Sequence, residues 1–207
     1  MILVWEGSFA VYHQYEACVP SNCGNGPNIS FPFYVPGLQE SYCGYPGFQL
    51  NCSKDGHPLL SLPENDYVVE AIFYANSSFR VYDAAAPSPL SADSSCPRIR
   101  NTTLPTDGFV YAGNLTGLHL LSNCPDNLPG TLEDVKVLCD NKEDKNNWIL
   151  AIYDEDLRLK DALGNCARNV IAPVEAHGDN QSGTLAEVLG RGFMLNWTAS
   201  DYSLQIM

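Results

Sequence analysis

At 207 residues with a net charge of −13, the chain is long enough for one large domain or two small ones, and too acidic to hold nucleic acid or an anionic membrane surface by charge. Hydrophobic residues make up 45% and charged residues 17%, an ordinary globular balance with few charges. No apolar run approaches the length of a bilayer span, so the chain as given is expected to be soluble.

Residues 1–17 open with an apolar stretch that Glu6 interrupts and that has no basic flank, so they read as a leader remnant or an N-terminal extension outside the core. Ile29, Phe31 and Phe33 then alternate as in a half-buried strand, and Pro32 places that strand at an edge. Pro46-Gly47 signals a turn between Cys43 and Cys52, feeding a short strand in which Phe48 and Leu50 share one face. Residues 53–58 form a polar turn, and Leu59, Leu60 and Leu62 make another short apolar segment.

Residues 67–83 are the clearest hairpin: Tyr67, Val69, Ala71 and Phe73 alternate with Val68, Glu70, Ile72 and Tyr74, and Phe79 to Asp83 returns after a polar break. Residues 85–95 lack the periodicity of a packed element and read as a linker between an 18–84 module and a 96–207 module. Beyond it, 109–111, 118–121, 135–138, 148–153, 169–174 and 193–197 predict strands. Thr184 and Glu187 form a capping-box pattern for one short helix, ended by Gly190 and Gly192. The fold class is therefore mainly β: a disulfide-stabilised, two-subdomain arrangement of short antiparallel strands with one short helix.

Two features place the chain outside the cytosol. The eight cysteines, Cys18, Cys23, Cys43, Cys52, Cys96, Cys124, Cys139 and Cys166, are even in number and lack zinc-ligand spacing, so they read as four disulfides and not as a metal site. Sequons for N-glycosylation begin at Asn28, Asn51, Asn76, Asn101, Asn114, Asn180 and Asn196, against roughly two expected by chance from the Asn, Ser and Thr content. Eight cysteines allow about a hundred connectivities. We expect Cys18, Cys23, Cys43 and Cys52 to pair among themselves, Cys124 with Cys139, and Cys96 with Cys166.

The run Cys18-x4-Cys23-Gly24, Ile29-x-Phe31-Pro32-Phe33 and Cys43-Gly44-x-Pro46-Gly47-Phe48-x-Leu50-x-Cys52, continued by Tyr67, Val69, Ile72, Tyr74, Asn76 and Ser78, resembles the galacturonan-binding module of plant wall-associated and leaf-rust-resistance-type receptor-like kinases. Asn123-Cys124, Cys139, Cys166, Pro173-Val174 and Gly192-Phe193-x-Leu195-x-Trp197 resemble the wall-associated-kinase C-terminal module that follows it. Together the two stretches cover roughly residues 18–200. The resemblance implies a receptor ectodomain on the apoplastic face of the plasma membrane, with cell-wall polysaccharide (pectin or galacturonan) or a pathogen protein as partner in defence signalling. A transmembrane helix and a kinase are expected outside this chain.

Catalytic residues are not expected. There is no Gly-x-Ser-x-Gly elbow, and His13, His57, His119 and His177 stand in unrelated contexts. Asp154-Glu155-Asp156 has the composition of a Ca²⁺ site or a glycosidase pair, but Arg158 and Lys160 follow at once and a solvated turn is the expectation. Sugar binding asks for aromatic platforms and, for an acidic sugar, cations. The candidates are Tyr34, Tyr42, Tyr45 and Tyr74 with Lys54, Arg80, Arg98 and Arg100. No cofactor is expected, and Ca²⁺ enters only as a bridge to an acidic polysaccharide. A secreted hydrolase or hydrolase inhibitor, or a structural wall glycoprotein, stays open as an alternative.

Overall fold

Residues 67–83 pair as their alternation predicts, and the larger of two sheets is built outward from them in the computed structural model, which describes residues 17–86, 96–105, 108–139, 148–176 and 183–198. Strands β3 (Asp66–Phe73) and β4 (Ser78–Asp83) run antiparallel, joined by a 3₁₀ turn over Tyr74–Asn76. Strict alternation fails inside β3. The register slips between Val69 and Ala71, so Glu70 is an extra residue and the phase of the strand inverts after it. Tyr67 and Val69 face the core before the bulge; after it Ile72 packs inward and Phe73 is turned out.

On one side of this hairpin lie β2 (Pro58–Ser61) and β1 (Asn51–Cys52); on the other lie β10 (Phe193–Trp197) and β5 (Phe109–Ala112), giving the order β1-β2-β3-β4-β10-β5. The boundary between sheets therefore does not follow the expected split into 18–84 and 96–207. Strands β5 and β10 come from the second half, yet they complete the first sheet, with β10 hydrogen-bonded on both sides. Most of the expected 85–95 linker lies outside the described residues. The reason for the insertion is apolar: Phe109, Phe193, Leu195 and Trp197 share one core with Ile29, Phe33, Phe48, Leu50 and Phe79. Phe33 sits at its centre, 5.2 Å edge-on to both Phe79 and Trp197.

The strand expected at 29–33 does not form. Ile29, Pro32 and Phe33 are buried, while Phe31 is 47% exposed, so burial along this stretch does not alternate as in a strand. The Phe33 N–H donates to Ser30 O at 2.9 Å, turning the chain there, and pairing is confined to single bridges, Ser21 with Ile29 and Tyr34 with Gln49. Pro32 has no N–H to give to a ladder.

The second sheet has the order β7-β8-β6-β9, from β6 (Leu115–Ser122), β7 (Lys136–Leu138), β8 (Trp148–Tyr153) and β9 (Arg168–Glu175). Both faces are covered. Leu118, Leu120, Ile149, Ala172 and Val174 pack with Ile99 and with Leu189 of helix α2 (Leu185–Arg191). Leu121, Leu150 and Ile152 pack with Leu132 and with Ala162 of helix α1 (Leu159–Asn165). The expected capping box is present in α2: Thr184 N–H donates to Glu187 Oε2 at 2.8 Å and Glu187 N–H to Thr184 Oγ at 3.3 Å. Helix α1 is additional to the single helix that the sequence predicts, because its polar exposed face obscures the apolar stripe.

The free edge of β9 is blunted: Ile171 N–H donates to the Asn101 side-chain oxygen at 2.8 Å, and Pro173, two residues on and so on the same edge, has no N–H to offer.

Four disulfides close the fold: Cys18–Cys43, Cys23–Cys52, Cys96–Cys139 and Cys124–Cys166. The first two keep the expected set. The last two correct the expected pairing of Cys124 with Cys139 and Cys96 with Cys166. Register explains the correction, since Ser122 of β6 lies opposite Arg168 of β9, and two residues further along each strand Cys124 meets Cys166.

At the end of β4, burial pushes the Asp83 carboxyl up, the hydrogen bond from Ala85 N–H opposes the rise and nearby Asp66 adds to it. A raised folded-state value contributes stability that is present below the ordinary carboxylate range and is lost as the pH rises through it. Asp83→Asn keeps an acceptor for Ala85, so we expect it to stabilise the protein at neutral pH and to lose that advantage near about pH 4. Urea unfolding at the two pH values checks this; an equal effect at both would assign the gain to something other than charge.

Candidate functional site

Three of the predicted aromatics are brought together by one loop. Ser41–Cys43 forms a 3₁₀ turn, and Gly44 follows with Tyr34 packed directly on it: a Cβ at position 44 would lie 2.3 Å from the Tyr34 ring and 2.9 Å from Pro32 O. Only glycine allows that approach. Tyr45 N–H donates to Pro32 O at 2.8 Å, and its ring stands edge-on to buried Phe48 at 5.6 Å. Tyr42 is 54% exposed beside them. The Gln39 amide fastens the neighbouring segments, donating to Val19 O at 2.9 Å and accepting from Val35 N–H at 3.0 Å, and Val19 and Leu38 beside these bonds are exposed. Tyr34 and Tyr45 thus meet at Gly44, and exposed Tyr42, two residues before it, completes a tyrosine rim along the crosslinked 34–45 segment by its place in the chain.

The other candidates do not join it. Tyr74 is used structurally: its hydroxyl accepts from Ser30 N–H at 2.8 Å and donates to Asn28 O at 3.0 Å, tying the 28–30 segment to the hairpin turn. Arg80 is also committed, paired with Glu175 at 2.8 Å and donating to Arg191 O at 3.1 Å, so it clamps β4 to β9 and α2. Its surroundings, Glu70, Glu175, Glu187 and Arg191, line a cleft of about 650 Å³ in which the charges largely answer one another. Arg100 reaches Glu64 at 3.9 Å with both side chains well exposed, a weak pair, and Arg98 is exposed nearby. Lys54 lies in the polar turn after Cys52, exposed.

The 154–156 carboxylates point apart, each to its own partner. Asp154 takes Gly117 N–H at 2.7 Å and lies 2.6 Å from His119 Nε2; Glu155 takes the Thr116 hydroxyl at 3.0 Å; Asp156 is forked by Arg158, which holds its carboxyl below the ordinary range. The expectation of a solvated turn understates them, because two of the three fasten the turn to β6. His119, whose sequence context offers no catalytic partner, is buried in β6 with Nδ1 3.1 Å from Asn169 Oδ1.

A second cleft, of about 570 Å³, opens where β5, β6 and β9 meet, and its lining includes Tyr111, Asn114 and Asp154. Sequence reasoning placed Tyr111 in a strand and saw no site there; the available signal was a tyrosine next to an exposed valine in a short strand. Among the sequons, Asn28, Asn51, Asn76, Asn101 and Asn114 are exposed, Asn196 is half-buried in β10, and Asn180 lies outside the described residues. Among the described residues, no group of three ligating side chains suited to a metal comes together, and no helix is long and apolar enough to cross a membrane.

Residues 18–83 match the family described as wall-associated receptor kinase galacturonan-binding. Two Arabidopsis thaliana receptor-like kinases resemble the chain over most of its length. Leaf rust 10 disease-resistance locus receptor-like protein kinase-like 1.2 is 34% identical over 197 residues, 90% of this chain and 29% of that protein. The like 2.5 protein is 28% identical over 181 residues, 75% of this chain and 25% of that protein. A putative RING-H2 finger protein, ATL21A, from the same plant is 33% identical over 70 residues, 33% of this chain and 19% of that protein. The chain thus spans under a third of the length of these curated relatives. No solved structure matches. Residues 18–83 therefore belong to the wall-associated receptor kinase galacturonan-binding family, and over 90% of its length the chain is similar to part of a plant leaf-rust-resistance-type receptor-like protein kinase.

Proposed function

We propose that this ectodomain is the ligand-binding part of a cell-surface receptor kinase, that it binds without catalysing a reaction, and that its ligand is pectic wall polysaccharide held by hydroxyl and methyl-ester contacts. The observation that carries the reading is the match of residues 18–83, whose fold presents the Tyr34, Tyr42 and Tyr45 rim.

Charge refines it. Within 18–83, two cations, Lys54 and Arg80, face six carboxylates, and Arg80 is already paired with Glu175. A bare polygalacturonate chain approaching a protein of net charge −13 is repelled until salt screens the field. Methyl-esterified pectin escapes that repulsion, and Ca²⁺ would relieve it by bridging carboxylates of protein and ligand.

Calorimetric titration with oligogalacturonides of matched length tests this. At about 20 mM salt the esterified oligomer is expected to bind more tightly, and the gap to narrow at about 200 mM salt. Tyr42→Ala weakens both. Tighter binding of the bare acid, weakening as salt rises and indifferent to Ca²⁺, would overturn the charge argument. Flat heats in every condition would leave a protein ligand, for which the exposed Val19, Leu38 and Tyr42 supply apolar surface.

A further inference from the structure

The cleft between β5, β6 and β9 lies apart from the 34–45 rim, and its about 570 Å³ falls in the range of small-ligand sites, roughly 300–1,000 Å³. Among the described residues no lysine or arginine lines it, and Asp154 is the one charged group there. That carboxylate is fixed in place. Gly117 N–H holds Oδ2 at 2.7 Å and His119 Nε2 holds Oδ1 at 2.6 Å. A Cβ at Gly117 would stand 2.6 Å from the carboxylate, so only glycine lets Asp154 sit there.

The Asp154 side chain still keeps 49% of its exposure, and each oxygen has used one lone pair on these donors. The pair left over is a rigid two-point acceptor, suited to adjacent hydroxyl groups. Asn114 adds an amide with donor and acceptor on the same wall. Apolar surface comes from Tyr111, 44% exposed and backed by Phe193 at 5.8 Å, and from Ile171, 40% exposed, beside Pro173.

A fixed aromatic ring, an amide and one carboxylate already satisfied by two donors make a poor seat for an anion. They also give little to a cation, since a half-exposed carboxylate contributes weakly by charge alone. We propose that this cleft binds a neutral, hydroxyl-rich ligand, a short stretch of uncharged wall glycan, whose hydroxyls bridge Asp154 and Asn114 while a sugar face lies on Tyr111. The site is separate from the pectin reading and does not rest on it.

Two sequons, Asn101 and Asn114, stand at the cleft, and a sugar on Asn114 would occupy its amide, so the test uses the 207-residue chain produced in a host that adds no N-glycans. It is titrated calorimetrically with β-1,4-linked tetramers of glucose, galactose and mannose, with tetragalacturonate as the acidic comparator. At least one neutral tetramer is expected to saturate, and Tyr111→Ala and Asp154→Asn are each expected to weaken it about tenfold or more. Tyr111→Phe keeps most of the affinity, tetragalacturonate does not compete, and Tyr42→Ala leaves neutral-glycan binding unchanged. Asp154→Asn retains an acceptor for Gly117, and Tyr111 is a surface ring, so near-ultraviolet circular dichroism confirms a folded variant in both cases.

The proposal is overturned if no neutral tetramer binds, if binding survives Tyr111→Ala, or if a lysine-rich peptide displaces the sugar. Loss of binding in Tyr42→Ala alone would place the neutral sugar on the 34–45 rim and overturn it equally. Failure of pectin binding with these results intact would sink only the pectin reading.

Discussion

Gly192→Ala is expected to destabilise the ectodomain by at least about 3 kcal/mol and to lower its melting temperature by on the order of 10 °C. Two independent costs meet at this residue. Its φ of 62° lies in the left-handed region, which a side chain disfavours. A Cβ there would also fall 1.9 Å from Val81 O and 2.9 Å from the Tyr82 Cβ. Neither neighbour can give way cheaply. Val81 pairs with Phe193 in the β4–β10 ladder, and Gly192 is the joint that turns α2 into β10. Relieving the clash means drawing β10 away from β4 and opening the core around Phe33 and Trp197. Thermal unfolding and secretion yield of the variant check this, and a melting temperature within about 2 °C of the parent would show that the joint relaxes without moving the strand.

Removing the Cys124–Cys166 bridge as a double serine variant is expected to cost about 4 kcal/mol, from the 42-residue span it closes. Denaturant unfolding of the double variant against the parent gives the number. The effect should appear mainly as added freedom in the unfolded chain, because the β6–β9 ladder persists without the bond. A non-reducing peptide map supplies the companion result: peptides holding Cys124 and Cys166 are linked, and so are those holding Cys96 and Cys139. A Cys124–Cys139 peptide would contradict the register of β6 and β9. Loss of less than about 1 kcal/mol would show that the unfolded chain is already compact around this span.

Most of the strands were legible because their signals are local. The 67–83 hairpin announces itself by alternating β-branched and aromatic residues, and the capping box at Thr184 needs only two residues in the right places. What was illegible depends on contacts far apart in sequence. Glu70 looks like one more outward residue until the ladder shows that it is surplus. Ile29, Phe31 and Phe33 alternate perfectly, yet the chain turns beneath them because Ile29 and Phe33 both reach one aromatic cluster. The place of β10 depends on Trp197 finding Phe33, which are 164 positions apart by number.

The binding candidates divide along the same line. Tyr34, Tyr42 and Tyr45 could be grouped from sequence, since one crosslinked loop carries them. Tyr74 and Arg80 could not be set aside, because their partners, Ser30 and Glu175, belong to other elements. The second cleft was invisible for a similar reason. Tyr111, Asp154 and Ile171 come from three strands or their ends, and Gly117, the residue that makes room for the carboxylate, carries no chemistry of its own.

Strand β10 also sets how the molecule bears force. A tug on the chain that follows Trp197 runs lengthwise down a strand zipped to neighbours on both flanks. The two ladders are loaded in shear together and must let go together, whereas the rim strands β1 and β5 would peel one hydrogen-bonded pair at a time. Mechanical toughness is thereby concentrated at β10, and tension passed through Trp197 reaches the aromatic cluster before it reaches the tyrosine rim.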